Sequence, residues 1–564
     1  VSHSVTGIAP DVELFVYSVC GGGCPYTAQV KALEAAMDPN GDGDLSDRVD
    51  VINMSLGGEF GDTYTEDGTQ YLIQRAVRLG TNVVISAGND GDHPFRVGGP
   101  STTPNALSVG AMTHPVTQVI NQAEADLNGQ EIIFGEARFG AQGPFTFSSE
   151  GKEFVYPETN QTGCESFADD VDFTDKVVLI DRGGCGFSVK ALNAQEKGAA
   201  FVIIVNSAET GVINMAASPG AEAVTIRTIM LTKADGQIIK DSIAAGEEFT
   251  LNIEATEVNI AGNAVAGFSS RGPSMDGLLK PEITAPGSAI MVADTGTQTG
   301  LAPASGTSFS GPITAGAVAL VRDARPELSA EEVKAILMNT ADLNVFKEST
   351  ALNPDTTLAP ISLIGAGLVD VEKAINSPAV AMVYHPEFDT KQGALSFGFA
   401  ELTEVTSFTK KVEVNNHSNE ERIYELSMNA RYDNDAETGA LSWEYPSELK
   451  VPANSSVEFD VTVTIDPARL PEWMLENPQS ASDLEPRANA LTLAEFDGAL
   501  VFNDLMAPGT NNLQLVYHVL PKAFVGGELD MIEMGTEKYV TFTNTGFEPL
   551  SINPEVLIGA DNRT

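Results

Sequence analysis

Apolar strands and short helices alternate over the first 110 residues, and this alternation most limits the folds open to the chain. "VDVINMSL" (49–56) and "TNVVISAGN" (81–89) have the composition of buried strands, and "DVELFVYSV" (11–19) alternates like a further strand. "AQVKALEAAM" (28–37) and "YLIQRAVRLG" (71–80) have helical spacing. Strands alternating with helices of about ten residues indicate an α/β fold with a doubly wound parallel sheet. Ligands of such sheets bind at the carboxyl ends of strands, where "NMSLGG" and "SAGN" lie.

This pattern is interrupted once and later replaced, which predicts several domains. A region rich in Phe, Gly and acidic residues follows residue 112, and the first pattern returns at "AGFSSRGP" (266–273) and "KPEITAPG" (280–287). The helix in "ELSAEEVKAILMNTA" (327–341) has Ser329 as its predicted N-cap. Beyond residue 378, short alternating strands between Pro, Asn and Gly turns are typical of a β-sandwich. We predict an α/β domain at 1–112 and 264–377, an inserted α+β domain at 113–263, a β-sandwich at 378–522 and the start of a further β domain at 523–564.

Acidic residues far exceed basic ones, which narrows the choice of partners. The 564 residues include 78 Asp and Glu but only 32 Lys and Arg, giving a formal net charge of −46. Such a surface repels phosphate backbones and anionic lipid, so we expect neither nucleic-acid nor membrane-surface binding. No apolar run reaches membrane-spanning length. The oligomeric state is left open by the sequence.

Four cysteines form two local groups, Cys20 with Cys24 and Cys164 with Cys185. An even number in separate pairs favours two disulfides and an oxidising compartment. Four free thiols are an alternative, and a zinc site is disfavoured because no histidine lies near either pair in sequence.

The stretch "ASGTSFSGP" (304–312) places Ser308 at the start of an apolar helix. A serine in that position is most often an N-cap. As a nucleophile it would need a histidine base and an orienting carboxylate. The G-x-S-x-G nucleophile elbow is excluded because Ser310 stands where glycine is required. The G-D-S-G-G pattern of chymotrypsin-like enzymes is absent as well.

Five motifs in order, "VINMSLGG", "SAGN", "FSSRGP", "KPEITAPG" and "GTSFSGP", resemble those of the subtilisin-like serine peptidases. The resemblance covers residues 4–112 and 264–376. It implies a serine endopeptidase in which Ser308 attacks the scissile carbonyl and the Asn89 side chain donates to the oxyanion. A turn residue before Asp90 is the alternative for Asn89.

Two short segments of small residues are expected to hold the substrate. One exposes its backbone at a strand end, where an extended peptide can pair as an added strand, and the other forms the opposite wall of the specificity pocket. The first is Ser55, Leu56 and Gly57, and the second is Ser86, Ala87 and Gly88.

The histidine that this chemistry needs has no clear counterpart. The family carries it in "HGTH" at a helix start, and Gly-Thr-His follows none of the six histidines: His3, His93, His114, His385, His417 and His518. His3 precedes "TGIAP", which resembles the family's "GVAP", but Ser4 follows it. The better alignment makes Val1 the residue after "HGTH". We therefore expect the histidine and the aspartate to precede residue 1, and the 564-residue chain to be an inactive fragment.

The segment "DPNGDGDLSD" (38–47) predicts a structural calcium site. Asp38, Asn40 and Asp42 occupy positions 1, 3 and 5 of a calcium loop, Gly43 occupies position 6, and Asp44 at position 7 could ligate through its carbonyl. Val49 stands at position 12, so Asp47 or Asp50 would have to replace the usual glutamate. A solvated acidic turn is the alternative. No organic cofactor is expected.

The remaining regions resemble accessory domains of large subtilisin-like enzymes. "VVLIDRGGCGFSVKALNAQEKGAAFVIIVN" (177–206) is similar to the protease-associated domain, within which Cys164 and Cys185 would form a local disulfide. Residues 378–522 resemble fibronectin type III-like modules. The resemblance implies a bacterial extracellular enzyme that acts on polypeptides.

The competing hypothesis is a binding protein that has lost its catalytic triad. The intact Ser308 and Asn89 argue against this hypothesis.

Overall fold

The computed structural model of the chain forms two compact units, residues 1–116 with 261–564 and residues 117–260. It describes residues 5–21, 23–64, 68–113, 118–142, 145–207, 212, 215, 217, 221–260, 263–294, 300–350, 353, 355–473, 490–524, 527–534 and 537–544. Of these, 118–124, 255–260, 527–534 and 537–544 are described by their backbone alone.

The first part of the α/β region alternates helices and strands. Its elements are α1 (Tyr26–Met37), β1 (Val51–Met54), α2 (Gly68–Arg78), β2 (Asn82–Ser86) and β3 (Leu107–Met112). Every residue of β2 and β3 is buried, as in the centre of a sheet covered on both faces. The helices and strands predicted at 28–37, 49–56, 71–80 and 81–89 are thus present.

The strand predicted at 11–19 is wrong. Residues 12–20 have no regular secondary structure, and Leu14 and Val16 are 78% and 79% exposed. Alternating apolar residues form a strand only where a neighbouring strand takes their backbone hydrogen bonds. Among the described residues, β1 is the edge strand of its sheet and no strand lies beyond it.

In its described residues, the unit 117–260 contains two sheets and two α-helices. Its elements are β4 (Gln118–Leu127), β5 (Gln130–Ile132), β6 (Phe134–Glu136), β7 (Thr146–Ser148), β8 (Phe154–Val155), β9 (Val177–Asp181), α3 (Phe187–Gln195), β10 (Phe201–Val205), β11 (Arg227–Leu231), α4 (Lys233–Ala245) and β12 (Leu251–Ile260). Strands β8 to β11 are parallel, with β6 antiparallel at the edge beside β11. The second sheet has the antiparallel order β5-β4-β12-β7.

The α/β region then resumes next to the point where it stopped. Its further elements are β13 (Ile283–Pro286), β14 (Ile290–Ala293), β15 (Leu301–Ala304), α5 (Thr307–Ala324), α6 (Ala330–Asn339), α7 (Ile361–Ile364) and α8 (Val371–Asn376). Strand β13 completes a parallel sheet of order β1-β2-β3-β13. The Thr113 N–H donates to the Ala264 carbonyl at 2.8 Å. Helix α6 begins with a capping box between Ser329 and Glu332, so the predicted N-cap is confirmed.

Residues 379–523, here named the two-sheet region, contain two five-stranded sheets. The elements are β16 (Ala379–His385), β17 (Thr390–Gln392), β18 (Ala394–Leu402), β19 (Thr406–Asn416), β20 (Arg422–Ala430), α9 (Asp433–Thr438), β21 (Leu441–Glu444), β22 (Glu448–Val451), β23 (Ser455–Ile465), β24 (Phe496–Asp504) and β25 (Leu513–Ala523). The sheet orders are β17-β16-β19-β23-β21 and β18-β25-β24-β20-β22. A separate antiparallel pair follows, β26 (Gly527–Met534) with β27 (Glu537–Asn544).

The two sheets share one hydrophobic core and also pack on the α/β region. Val412 and Val461 of the first sheet meet Leu500 and Phe502 of the second. Across the other boundary, Met338 of α6 belongs to the same apolar cluster as residues of β16 and β25. The two-sheet region therefore continues the core of the α/β region.

Candidate active site

Ser308 is the second residue of α5, close to the carboxyl ends of the parallel strands. The N-cap of this helix is Gly306, which provides no side-chain cap, so the N-cap interpretation of Ser308 is wrong. The backbone N–H groups in the first turn of a helix lack partners within the helix and carry partial positive charge. Ser308 therefore lies where developing negative charge is stabilised.

The Ser308 backbone is anchored while its hydroxyl stays available. The Ser55 hydroxyl, just beyond β1, donates to the Ser308 carbonyl at 2.9 Å. The Asn53 amide in turn donates to the Ser55 hydroxyl at 3.1 Å. Within the part of the chain that the structure describes, no hydrogen bond is made to the Ser308 Oγ.

The side chain of Asn89 is held against the start of the same helix. Its Oδ1 accepts hydrogen bonds from the Thr307 backbone N–H at 2.8 Å and from the Thr307 hydroxyl at 2.9 Å. An Asn89 that served only as a turn residue would not need this contact across 218 positions.

Gly306 keeps two hydrogen-bond donors accessible beside Ser308. A Cβ built on Gly306 would lie 3.6 Å from the Asn89 Nδ2 and 3.6 Å from the Ser308 backbone nitrogen. The Asn89 Oδ1 is occupied by Thr307, which leaves the Nδ2 of the same amide to donate elsewhere. Two N–H groups near one point are what an oxyanion hole requires.

A cavity of about 360 Å³ opens next to these groups. Its lining is Leu56, Gly57, Gly58, Glu59, Ser86, Gly88, Asn89, Asp90, Thr307 and Ser308. Two residues predicted to bind substrate are not in the lining, because Ser55 is bonded to the Ser308 backbone and Ala87 is buried beneath the wall.

The sequence prediction missed four lining residues, Gly58, Glu59, Asp90 and Thr307. Each lies within two positions of a predicted residue, so extending the motifs by one or two positions would have included them. Two of them are acidic, and both are restrained. Glu59 forms an ion pair with Arg96, and Asp90 accepts a hydrogen bond from the Ser270 hydroxyl at 3.2 Å.

Within the described ranges, no histidine is hydrogen-bonded to Ser308. His417 bonds to Glu332 at 2.9 Å and His518 bonds to Glu495 at 3.0 Å. His385 contacts Glu387 at 3.3 Å, and burial lowers its pKa. His93 makes no bond to Ser308, and His3 and His114 lie outside the described residues.

The predicted calcium loop folds back on its own backbone. The Asp38 carboxylate accepts from the backbone N–H groups of Gly41, Asp42 and Gly43, at 2.9 to 3.1 Å. Gly43 has a φ of 84°, which fits the sharp turn expected at position 6. The oxygen donors suit calcium chemically. However, within the described ranges no group of three or more His, Cys, Asp or Glu side chains is placed to hold a metal, Asp44 and Asp47 included.

The structure joins Cys20 to Cys24 and Cys164 to Cys185 by disulfides. No cysteine is free, so the free-thiol and zinc alternatives are wrong. The second bond ties residues upstream of β9 to the Gly-rich loop that follows it. There the buried Lys190 ammonium donates to the Thr162 and Gly183 carbonyls.

Comparison with known proteins adds independent information. A sequence model of the subtilase family matches residues 1–367. The minor extracellular protease Vpr of Bacillus subtilis is 32% identical over 400 residues, 67% of this chain and 44% of that protein. The PII-type proteinase of Lactococcus lactis subsp. cremoris is 27% identical over 522 residues, 82% of this chain and 26% of that protein. Subtilisin-like protease SBT1.2 of Arabidopsis thaliana is 28% identical over 423 residues, 71% of this chain and 52% of that protein.

The chain spans less than half the length of the first two relatives and about half of the third. Among the residues that the structure describes, no helix combines the length and apolarity needed to cross a bilayer. The family model covers well over half of the residues, including both parts of the α/β region. The chain therefore belongs to the subtilase family of serine peptidases.

Proposed function

We propose that the chain carries the nucleophile and oxyanion donors of a serine endopeptidase that hydrolyses peptide bonds of extracellular proteins. The observation that supports this most directly is the contact between Asn89 and Thr307, beside Ser308 at the start of α5. The Ser308 Oγ attacks the scissile carbonyl carbon, and its proton passes to a histidine. The Asn89 Nδ2 and the Ser308 backbone N–H then donate to the oxyanion that forms.

This mechanism needs an Asp-His pair behind Ser308, and no described residue supplies it. We propose that the 564-residue chain by itself is inactive or nearly so, because Gly-Thr-His follows none of its six histidines. Substrate recognition uses the cavity. An extended peptide pairs with the backbone at Leu56 and Gly57, and one side chain enters between this segment and the wall at Ser86 and Gly88.

An extracellular setting fits several features. The two disulfides suit an oxidising compartment. The printed name of the Bacillus subtilis relative describes an extracellular protease. We propose a bacterial enzyme outside the cell, with unit 117–260 as a protease-associated domain and the two-sheet region as a fibronectin type III-like module.

The catalytic proposal is tested with a fluorophosphonate probe on the full-length natural protein. We expect covalent labelling that Ser308→Ala abolishes, because only an activated serine reacts with such probes. The 564-residue chain, treated in parallel, should remain unlabelled. Labelling of that chain would mean that one of its own histidines acts as base, and His3 would be examined first. A folded full-length protein that does not label would overturn the peptidase and favour the binding protein.

A structural calcium ion at 38–47 is proposed from the donor types and from the turn at Gly43. Calcium that binds only the folded state at a hundred times its Kd would stabilise it by about 2.7 kcal/mol. We expect the melting temperature to rise with calcium and to fall with a chelator. Asp38→Asn combined with Asp42→Asn should remove the response. Equal melting temperatures with calcium and with chelator would leave a solvated acidic turn.

A further inference from the structure

Arg271, in the "FSSRGP" motif, is a fully buried cation at the boundary between the α/β and two-sheet regions. Its side chain is 0% exposed. Its guanidinium forms ion pairs with Asp92 at 3.0 Å and with Glu495, which directly precedes β24. It also donates to the hydroxyls of Ser362 and Thr492, each at 2.8 Å. One side chain thus connects the two-sheet region to the loop that follows Asn89.

The backbone around Arg271 lies along that loop. We name residues 87–97 the Asn89 loop and residues 268–272 the Arg271 segment. The Arg271 carbonyl accepts from the backbone N–H of Arg96 at 2.7 Å and of Val97 at 3.3 Å. Ser270 donates from its backbone to the Gly88 carbonyl at 3.1 Å, and its hydroxyl accepts from the Asp90 N–H at 3.0 Å. The Arg271 segment therefore contacts the loop on both sides of Asn89.

Glu495, the counterion of Arg271 in the two-sheet region, is also held in place by its own contacts. Glu495 is fully buried, and its second carboxylate oxygen bonds to the buried His518 of β25 at 3.0 Å. Burial alone would raise the pKa of Glu495, but Arg271 and His518 outweigh burial and hold it below its usual value. Burial likewise opposes the charge on Arg271, and Glu495 and Asp92 restore it, so that its pKa lies above the ordinary value. Both partners are charged in the folded protein.

Arg431 provides a natural comparison. It also spans the boundary between the two regions, and it donates to the carbonyls of Ala359, Leu343 and Val345, at 2.8 to 3.0 Å. None of these carbonyls belongs to the Asn89 loop. A purely structural role predicts similar behaviour for Arg271 and Arg431.

We propose that Arg271 is a positioning residue for the oxyanion donor Asn89, and that Glu495 of the two-sheet region fixes Arg271 in place. The inference rests on the proposed function. It makes the two-sheet region a part of the catalytic apparatus, since that region supplies the counterion that anchors the Asn89 loop. A displacement of the loop reduces stabilisation of the oxyanion, which exists only during reaction, and so lowers kcat. Gly88 of the same loop also lines the substrate cavity, so KM changes too, but by a smaller factor than kcat.

The first measurement is hydrogen exchange of the 564-residue chain, which needs no activity. We compare Arg271→Lys and Glu495→Gln with Arg431→Lys. A lysine ammonium cannot reproduce the planar guanidinium of Arg271, which reaches two carboxylates and two hydroxyls. We expect amides of residues 88–97 to exchange at least tenfold faster in the first two variants and at the wild-type rate in Arg431→Lys. Glu495→Gln preserves shape, so it provides the test if Arg271→Lys does not fold.

The second measurement uses the full-length natural protein with a peptide substrate. Arg271→Lys and Glu495→Gln should lower kcat at least tenfold and by a larger factor than they change KM, and Arg431→Lys should leave both near wild type. If Arg271→Lys and Glu495→Gln show the same loop exchange rates and kcat as Arg431→Lys, the inference is overturned, while the proposed peptidase function stands. A wild-type protein that neither labels nor hydrolyses would overturn the proposed function, and with it the positioning role. Faster exchange in the two variants would then show only that Arg271 anchors the loop.

Discussion

The surroundings of Ser308 and those of Arg271 share the Asn89 loop, yet they are built from different interactions. Around Ser308 the contacts are hydrogen bonds between neutral groups, such as those of Ser55 and Thr307. Each such bond contributes about 1 kcal/mol to stability. Around Arg271 the central contact joins two fully buried charges, Arg271 and Glu495. Removing one member of such a pair costs about 3–5 kcal/mol, because the other charge is left without a partner. Substitutions near Ser308 should therefore change chemistry, and substitutions near Arg271 should also change stability.

The largest expected effect is on stability. Glu495→Ala should lower the free energy of unfolding by about 3–5 kcal/mol, because the Arg271 charge stays buried and loses a counterion. Urea denaturation measures this. Glu458→Ala is the matched control, since its pair with Lys411 is about half exposed and such pairs contribute about 0–1 kcal/mol. Equal losses of unfolding free energy in the two variants would mean that the buried pair contributes no more to stability than the exposed pair.

The next largest expected effect is on the catalytic rate. Asn89→Ala in the full-length natural protein should lower kcat by roughly 10²–10³, the size of effect already known for loss of one oxyanion donor in this family, or about 2.7–4 kcal/mol. The free energy of unfolding should fall by only about 1–2 kcal/mol, for the lost bonds to Thr307. An unchanged kcat would remove Asn89 from the mechanism. A large loss of stability would show that the two surroundings do not differ as described.

The smallest expected effect is the pH dependence of stability that the buried Asp435 causes. Burial raises the pKa of Asp435 to about 7 from its ordinary 3.8, and its Oδ2 has no hydrogen-bond partner among the described residues. Between these values the folded state holds a proton that the unfolded state has lost. The contribution of Asp435 to stability therefore falls by about 1.4 kcal/mol per pH unit as the pH rises towards 7.

Asp435→Asn removes this dependence. We expect its unfolding free energy to decline less steeply between pH 5 and pH 7 than that of wild type. Asp497 should keep part of the slope in both proteins, because burial raises its pKa in the same direction. Parallel curves for wild type and variant would mean that Asp435 is ionised in the folded state at neutral pH.

Local signals were enough to predict several elements of the α/β region. Strand β2 was read from an uninterrupted apolar run, and helix α6 from a serine cap followed by glutamates. Ser308 and Asn89 were found because each lies in a short motif beside such an element. The contact of Asn89 with Thr307, the neighbour of Ser308, depends on long-range folding, but the motifs contain both partners.

The features missed from the sequence depend on distant partners. The segment 11–19 alternates like a strand, but within the described structure no neighbouring strand accepts its hydrogen bonds. Arg271 lies in a short motif, but no local pattern links it to Glu495, which lies 224 positions away. The parallel pairing of β18 with β25 is likewise invisible in the alternation of either strand.

The hydrogen bond between Thr113 and Ala264 has a consequence for how the chain folds. For the folding of the parallel sheet, the 144 residues between the two parts of the first unit act as a single loop whose ends meet. The entropy of closing a loop grows only with the logarithm of its length, so replacing a ten-residue turn by a flexible loop this long costs about 2–3 kcal/mol. An insert whose own first and last strands pair, as β4 and β12 do, brings its ends together itself and reduces that cost. A long insertion at this point therefore adds little to the entropic cost of forming the host sheet.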